Sequence, residues 1–316
     1  NTIEYNNFTN NYHGIYLVNS SSTGATGNNI TTSDFYSLFI HSETKDSNFT
    51  NNYVSLGEEA IRLRTSSNNN YFDNNTFEHH SKYGLRSSDV VGNNFTNNTF
   101  TNNSLNIFMT NSSAYQFDND TIIGSTTGIQ ASSSNNLIVR FATINSSSPS
   151  VEINDSSSIN LSNNSILNDI QLKTAPSSTI NGNQILNDLI IYSSSNILGI
   201  GDNNITNHLN ITDSTSIILN NNNLVDNYIY DTSGSTISNN VLKKLILINF
   251  SSNGNIYNND VDNVNSTAFN FTNVDSSSIY GNNIQNTTLS ISLSGGSTSN
   301  TIYDNWLKDN DFNLNI

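Results

Sequence analysis

Residues 1–22, NTIEYNNFTNNYHGIYLVNSSS, hold one full unit of a pattern that the rest of the chain repeats. Ile3 and Phe8 frame a turn containing Asn6, a second polar stretch follows, and Ile15 and Leu17 then alternate as in a half-buried strand. A Ser cluster closes the unit. Working outward, the apolar anchor after the turn recurs as Phe8, Ile30, Val54, Phe77, Phe100, Ile122, Ile144, Ile166, Ile185, Ile205, Leu224, Val241, Val261, Ile284 and Leu307. Two residues before these anchors sit Asn6, Asn28, Asn52, Asn75, Asn98, Asp120, Ala142, Asn164, Asn183, Asn203, Asn222, Asn239, Asn259, Asn282 and Asn305. Thirteen of these fifteen positions are Asn, far more than an Asn-rich composition gives by chance.

A period near 22 with one turn-forming Asn per period is the signature of a solenoid whose repeats bury their apolar faces against their neighbours. Three short strands and three polar turns per period, with hardly a helix-forming stretch, describe an all-β parallel β-helix. The reading expects about 15 coils of 18–24 residues in a single domain over residues 1–316, itself part of a longer chain. Coils are wider over 1–160, narrower over 161–256 and wider again over 257–316, so longer second turns should protrude from the outer coils as loops. Asn tolerates the left-handed conformation of a sharp turn, and its amide both donates and accepts. The column should therefore form a hydrogen-bonded ladder along the stack, weakest where Asp120 and Ala142 interrupt it.

Composition narrows the classes of function. The formal net charge is −15 with only 11% charged residues, which argues against a nucleic-acid partner. There is no cysteine, hence no disulfide framework or thiolate site. No apolar run approaches the length of a membrane span, and no cofactor motif appears: the phosphate loop, zinc helix and nucleophile elbow are all missing. About 20 Asn-x-Ser/Thr sequons occur, with Asn7, Asn29, Asn48, Asn94, Asn160 and Asn204 as glycosylation candidates, of which Asn7, Asn29 and Asn204 fall on the outward face. An Asn-, Ser- and Thr-rich chain also generates sequons by chance.

The strongest local anomaly lies between residues 41 and 89, which hold five of the ten Lys and Arg residues. A loop with Glu58 and Glu59 should project beside one with His79, His80 and Lys82, flanked by Arg62, Arg64 and Arg86. Such a cluster suits binding of a glycan, or a carboxylate and base for cleaving one. The plainer alternative is a solvated patch of compensating charges. A second alignment, Asp169, Asp188 and His208, places three residues on consecutive coils where they could hold a divalent ion, or simply form a surface stripe. Tyr12, Tyr16, Tyr36, Tyr53, Tyr228 and Tyr230 could stack on sugar rings or cover adjacent turns.

With its Ser triplets, Asn-x-Ile and Asn-x-Phe steps and Gly-Ile-Tyr-Leu at 14–17, the chain resembles the right-handed parallel β-helix repeat family of NosD type, over essentially all its residues. That family includes a periplasmic protein linked to copper-site assembly, carbohydrate-processing relatives and large surface proteins. The composition is most similar to adhesin-like surface proteins of methanogenic archaea. The resemblance implies an extracellular, cell-surface module acting as a rigid spacer or adhesin, with a polysaccharide lyase or glycoside hydrolase as the rival reading. For copper, the chain offers no Cys, one Met (Met109) and five scattered His. The expected partners are other domains of the parent chain or stacked copies, and glycans or a cell-surface partner.

Overall fold

Residues alternate in and out over segments too short for anything but β-strands, and the chain turns a corner after each one. The computed structural model describes residues 1–250 and 253–316; it is all-β, with strands stacked in parallel as a solenoid and no helix among these residues. The chain packs as two compact units, residues 1–168 and 169–316.

In the first unit each coil carries three strands, as in Tyr71–Asp73, Thr76–Glu78 and Tyr83–Ser88. First strands pair only with first strands, in register. Phe49, Phe72, Phe95 and Phe117 therefore lie above one another, with ring centroids 4.7, 4.5 and 4.9 Å apart. These rings are fully buried and, with the stacked pair Phe77 and Phe100, fill the core. At the corner after the third strand, hydroxyls replace amides: the Ser112 and Ser134 N–H groups donate to Ser134 Oγ (3.2 Å) and Ser156 Oγ (2.8 Å).

The corner before the second strand shows what the Asn column does. The Asn52 side chain donates from Nδ2 to Asn75 Oδ1 (2.9 Å) and to the Ala25 carbonyl (2.8 Å), while Asn75 Oδ1 also accepts the Asn52 backbone N–H (2.9 Å). The same pattern links Asn28 to Asn52 and Asn75 to Asn98. The left-handed conformation, however, belongs to the residue just before: Asn51 (φ 54°), Asn74 (54°), Asn97 (57°) and Asn119 (56°). Two roles expected of one residue are thus divided between two neighbours.

Asp120 accepts from the Asn98 backbone (2.6 Å) and from Asn98 Nδ2 (3.1 Å) through Oδ1, but its buried Oδ2 has no hydrogen-bond partner. In neighbouring rungs the equivalent atom is an amide nitrogen that donates to a carbonyl, as Asn98 does to Phe72 (3.0 Å) and Asn164 to Val139 (2.9 Å). A carboxylate cannot donate there, and Ala142 offers no acceptor beyond it. Burial pushes the Asp120 carboxyl up to about 7, despite the hydrogen bonds from Asn98 that pull it down.

In the second unit the coils tighten to 18–20 residues as far as Asn259 and widen to 23 beyond it, and the second and third strands merge in several, as in Asn204–Thr212, Asn223–Tyr230 and Val241–Ile248. Its ladder runs from Asn183 through Asn203, Asn222, Asn240, Asn259 and Asn282 to Asn305, with Nδ2 to Oδ1 distances of 2.9–3.0 Å. This corrects one rung of the sequence reading: Asn240, not Asn239, is the ladder residue, and Leu242, not Val241, is the anchor. Asn239 is exposed at φ 55° and so is the left-handed partner of the pair. Leu242 is 2% exposed and Val241 55%, so burying the larger side chain selects the register.

Two outcomes follow. Asn203→Ala should cost roughly 1–3 kcal/mol in chemical denaturation, because it orphans groups on two coils; Asn204→Ala, one residue along and half-buried, should stay within about 0.5 kcal/mol. For Asp120, the folded state holds its proton more tightly than the unfolded chain. Its share of stability is complete below the unfolded pKa near 4 and is lost as pH rises to about 7, a loss of about 2–4 kcal/mol. Asp120→Asn should remove that part of the pH slope and leave the protein more stable than wild type at pH 8; an unchanged slope in urea titrations would refute it.

Candidate functional site

The third strands of the first unit pair in register from His13–Val18 through Tyr36–His41, Glu59–Arg64, Tyr83–Ser88 and Leu105–Thr110. Between inward residues such as Leu38 and Ile40, or Ile61 and Leu63, one side chain per coil must point outward. That rule builds a column of Tyr16, Phe39, Arg62, Arg86 and Phe108. A parallel column holds His13, Tyr36, Glu59 and Tyr83, and a third Val18, His41, Arg64 and Ser88.

One end of this face is aromatic. Tyr16 stacks on Phe39 at 4.8 Å, Tyr36 lies 4.8 Å from Phe39, and His13 stacks on Tyr36 at 5.2 Å. Tyr12 and Phe35 meet at 4.6 Å, and Tyr12 and Tyr16 are 59% and 53% exposed. The centre is charged. Glu59 is 2% exposed; Arg86 Nη1 donates to its Oε1 at 3.2 Å, and Arg62 Nη1 lies 3.9 Å from its Oε2. Burial pushes the Glu59 carboxyl up and the Arg62 guanidinium down, each offset in part by the other's charge. Glu59 Oε2, Arg62 Nη1 and Arg86 Nε are buried without hydrogen bonds. Arg86 lies over the Tyr83 ring at 5.3 Å, and Tyr83 stacks near Phe108 at 5.4 Å. Residues 41–89 hold five Lys and Arg against seven Asp and Glu, so cations are concentrated here without making the segment net positive.

The segments 56–58 and 79–82 lie side by side between strands as expected, but Glu59 and His80 do not project from them, which corrects the sequence reading. Glu59 opens a strand, paired with Tyr83. His80 occupies an inner corner, where its N–H and Nδ1 both meet Asn103 Oδ1 at 2.9 Å; Asn103 holds the same place one coil on. Burial lowers the His80 imidazole to about 4, so it is neutral near pH 7 and enclosed. Glu58 pairs closely with exposed Lys82, and exposed His79 lies beside Glu78, which also takes a close hydrogen bond from Tyr53. Beside Lys82 a cleft of about 540 Å³ opens over Asn103, Ser104, Thr126, Ser147 and Asn168, lined by amides and hydroxyls.

Asp169, Asp188 and His208 do not converge. Asp169 Oδ1 accepts from Asp188 N–H (3.3 Å), and Asp188 Oδ1 accepts from His208 N–H and meets Nδ1, both at 3.0 Å. Among the described residues no three His, Asp or Glu side chains gather as for a metal. Of the sequon asparagines, Asn7, Asn29, Asn48 and Asn94 are exposed, while Asn160 and Asn204 are half-buried. Phe39, Tyr83 and Phe108 were missed from sequence. The signal was present: each lies on a third strand, and Phe39 and Phe108 lie between its two inward residues.

Residues 1–126 match the model of a family described as periplasmic copper-binding protein (NosD). The donors there do not fit copper: Met109 is fully buried in the core, His80 is enclosed, and His13, His41 and His79 belong to different columns. No curated protein matches the chain. Among solved structures, the mannuronan C-5 epimerase AlgE4 A-module of Azotobacter vinelandii superposes with TM-score 0.38 at 13% identity, over 99% of this chain and 87% of that one. The Streptococcus pneumoniae surface adhesin PfbA gives 0.39 at 11%, over 92% and 82%. The GH87 α-1,3-glucanase of Streptomyces thermodiastaticus gives 0.32 at 11%, over 93% and 62%.

Removing the acid at the centre of the face strands two guanidiniums. Glu59→Ala should therefore cost roughly 2–4 kcal/mol, and Glu59→Ala with Arg62→Met should recover part of it. Additive losses in a double-mutant cycle would show that the pair is not coupled.

Proposed function

We propose that this chain is a rigid β-helix module displayed outside the cytoplasm, binding glycans on the outward third-strand face of its first unit. The observation that carries this reading is the aromatic platform of Tyr16, Phe39 and Tyr36 beside the Arg62 and Arg86 column. Sugar rings pack their C–H faces on aromatic rings, and their hydroxyls suit guanidinium, amide and hydroxyl partners such as those lining the adjacent cleft. Parallel stacking keeps these groups on strands rather than loops, so the platform is organised before a ligand arrives. A non-cytoplasmic setting accords with the periplasmic description of the matching family.

The rival reading, a polysaccharide-processing enzyme, needs an acid and a base free to act at defined separation. In this cluster Glu59 is held between two arginines, Glu58 by Lys82, and His80 is enclosed. The groups present favour holding a sugar over cleaving it.

A glycan array should show retention without release of shortened products, and Phe39→Ala should weaken retention about tenfold, as loss of one aromatic contact implies. Product release abolished by Glu58→Ala would favour the enzyme instead.

A further inference from the structure

Resting on the glycan-binding reading, we infer that the ligand of this face is an anionic saccharide, its carboxylate or sulfate groups lying over Arg64 and Arg86 and a ring on the Tyr16–Phe39 stack. Cations are few in this chain and unevenly spread. Four of its ten Lys and Arg residues lie on this face. Elsewhere Arg140 is taken by Asp118 at 2.8 Å and Lys308 by Asp309 at 3.4 Å. On the face Glu58 is committed to Lys82, and Glu59 to Arg62 and Arg86.

Arg64 is left over. It is exposed and makes no ion pair among the described residues. It sits in register with His41, whose ring meets Phe39 at 5.3 Å, so the unmatched charge is continuous with the aromatic platform. Arg86 spends Nη1 on Glu59, and its side chain remains 37% exposed over Tyr83. Two guanidiniums, one anchored and one free, in adjacent columns one coil apart, offer planar donors matched to carboxylate or sulfate oxygens. A polyanion is repelled by the chain as a whole at −15, and three of the four arginines that could hold it lie on this face. An anionic ligand should therefore select this face over the rest of the surface, and its binding should weaken with salt.

The test uses the purified protein with three polymers of matched length: polygalacturonate, dextran sulfate and neutral dextran. Both charged polymers, or one of them, should bind, more weakly at high salt, and neutral dextran should not compete. Arg64→Gln should lower affinity about fivefold and Arg64→Gln with Arg86→Gln more than tenfold. Because Arg64 touches no core group, its single variant should keep the wild-type circular dichroism melt and is the decisive one. Binding to carboxylate or to sulfate polymer alone identifies which group is read. Neutral dextran bound as tightly as the charged polymers, or an Arg64→Gln affinity equal to wild type, would overturn the anionic assignment while leaving the glycan module standing. No binding to any polymer or to a wider glycan array would overturn the module itself.

Discussion

Parallel backbone pairing sets neighbouring coils about 4.8 Å apart, and that spacing decides what every side chain meets. In register, each residue faces its own equivalent one coil away, so like groups must tolerate stacking on like. Phenylalanine does so in the core column from Phe49 to Phe117. Asparagine does so at the corner, where one amide donates and the next accepts. Charged residues do not, which is why the chain is poor in them and why Arg62 above Arg86 needs Glu59 beside both. The composition follows from that one distance.

The repeat was legible because this constraint acts identically on every coil. Anchors such as Phe77, Phe100 and Ile122, all fully buried, could be placed by counting. What could not be read was the choice between adjacent candidates. Ser-Asn-Asn-Val-Leu at 238–242 contains two asparagines and two apolar residues, and only the packing of Leu242 shows which phase is inward. The division of the corner between a left-handed residue and a ladder residue was likewise hidden, since Asn serves both roles.

The site was legible in content and not in form. The charge between residues 41 and 89 was visible, yet Glu59 was expected on a loop and opens a strand, and His80 was expected to project and is enclosed. His80 illustrates the reason: imidazole replaces an amide at an inner corner, with its Nδ1 and backbone N–H on Asn103, and nothing in its side-chain chemistry announces burial. Tyr16, Phe39, Arg62, Arg86 and Phe108 are 22 to 24 residues apart in sequence and consecutive in space. A solenoid thus composes a surface by sampling the sequence at its period, and a functional face appears in the chain as isolated residues rather than a motif.

The split corner has a further consequence. The segment between the second and third strands has coil-to-coil bonds of its own, as where His80 meets Asn103, but its length varies along the chain. The ladder amides keep their register while it does. In the second unit the segment shrinks until two strands run together at Asn204–Thr212, and the ladder passes through Asn203 undisturbed. Length and register are therefore independent variables in this fold. A gene encoding it can drift in coil size, and so remodel one side of the molecule, while the backbone that holds the other sides in place is inherited unchanged.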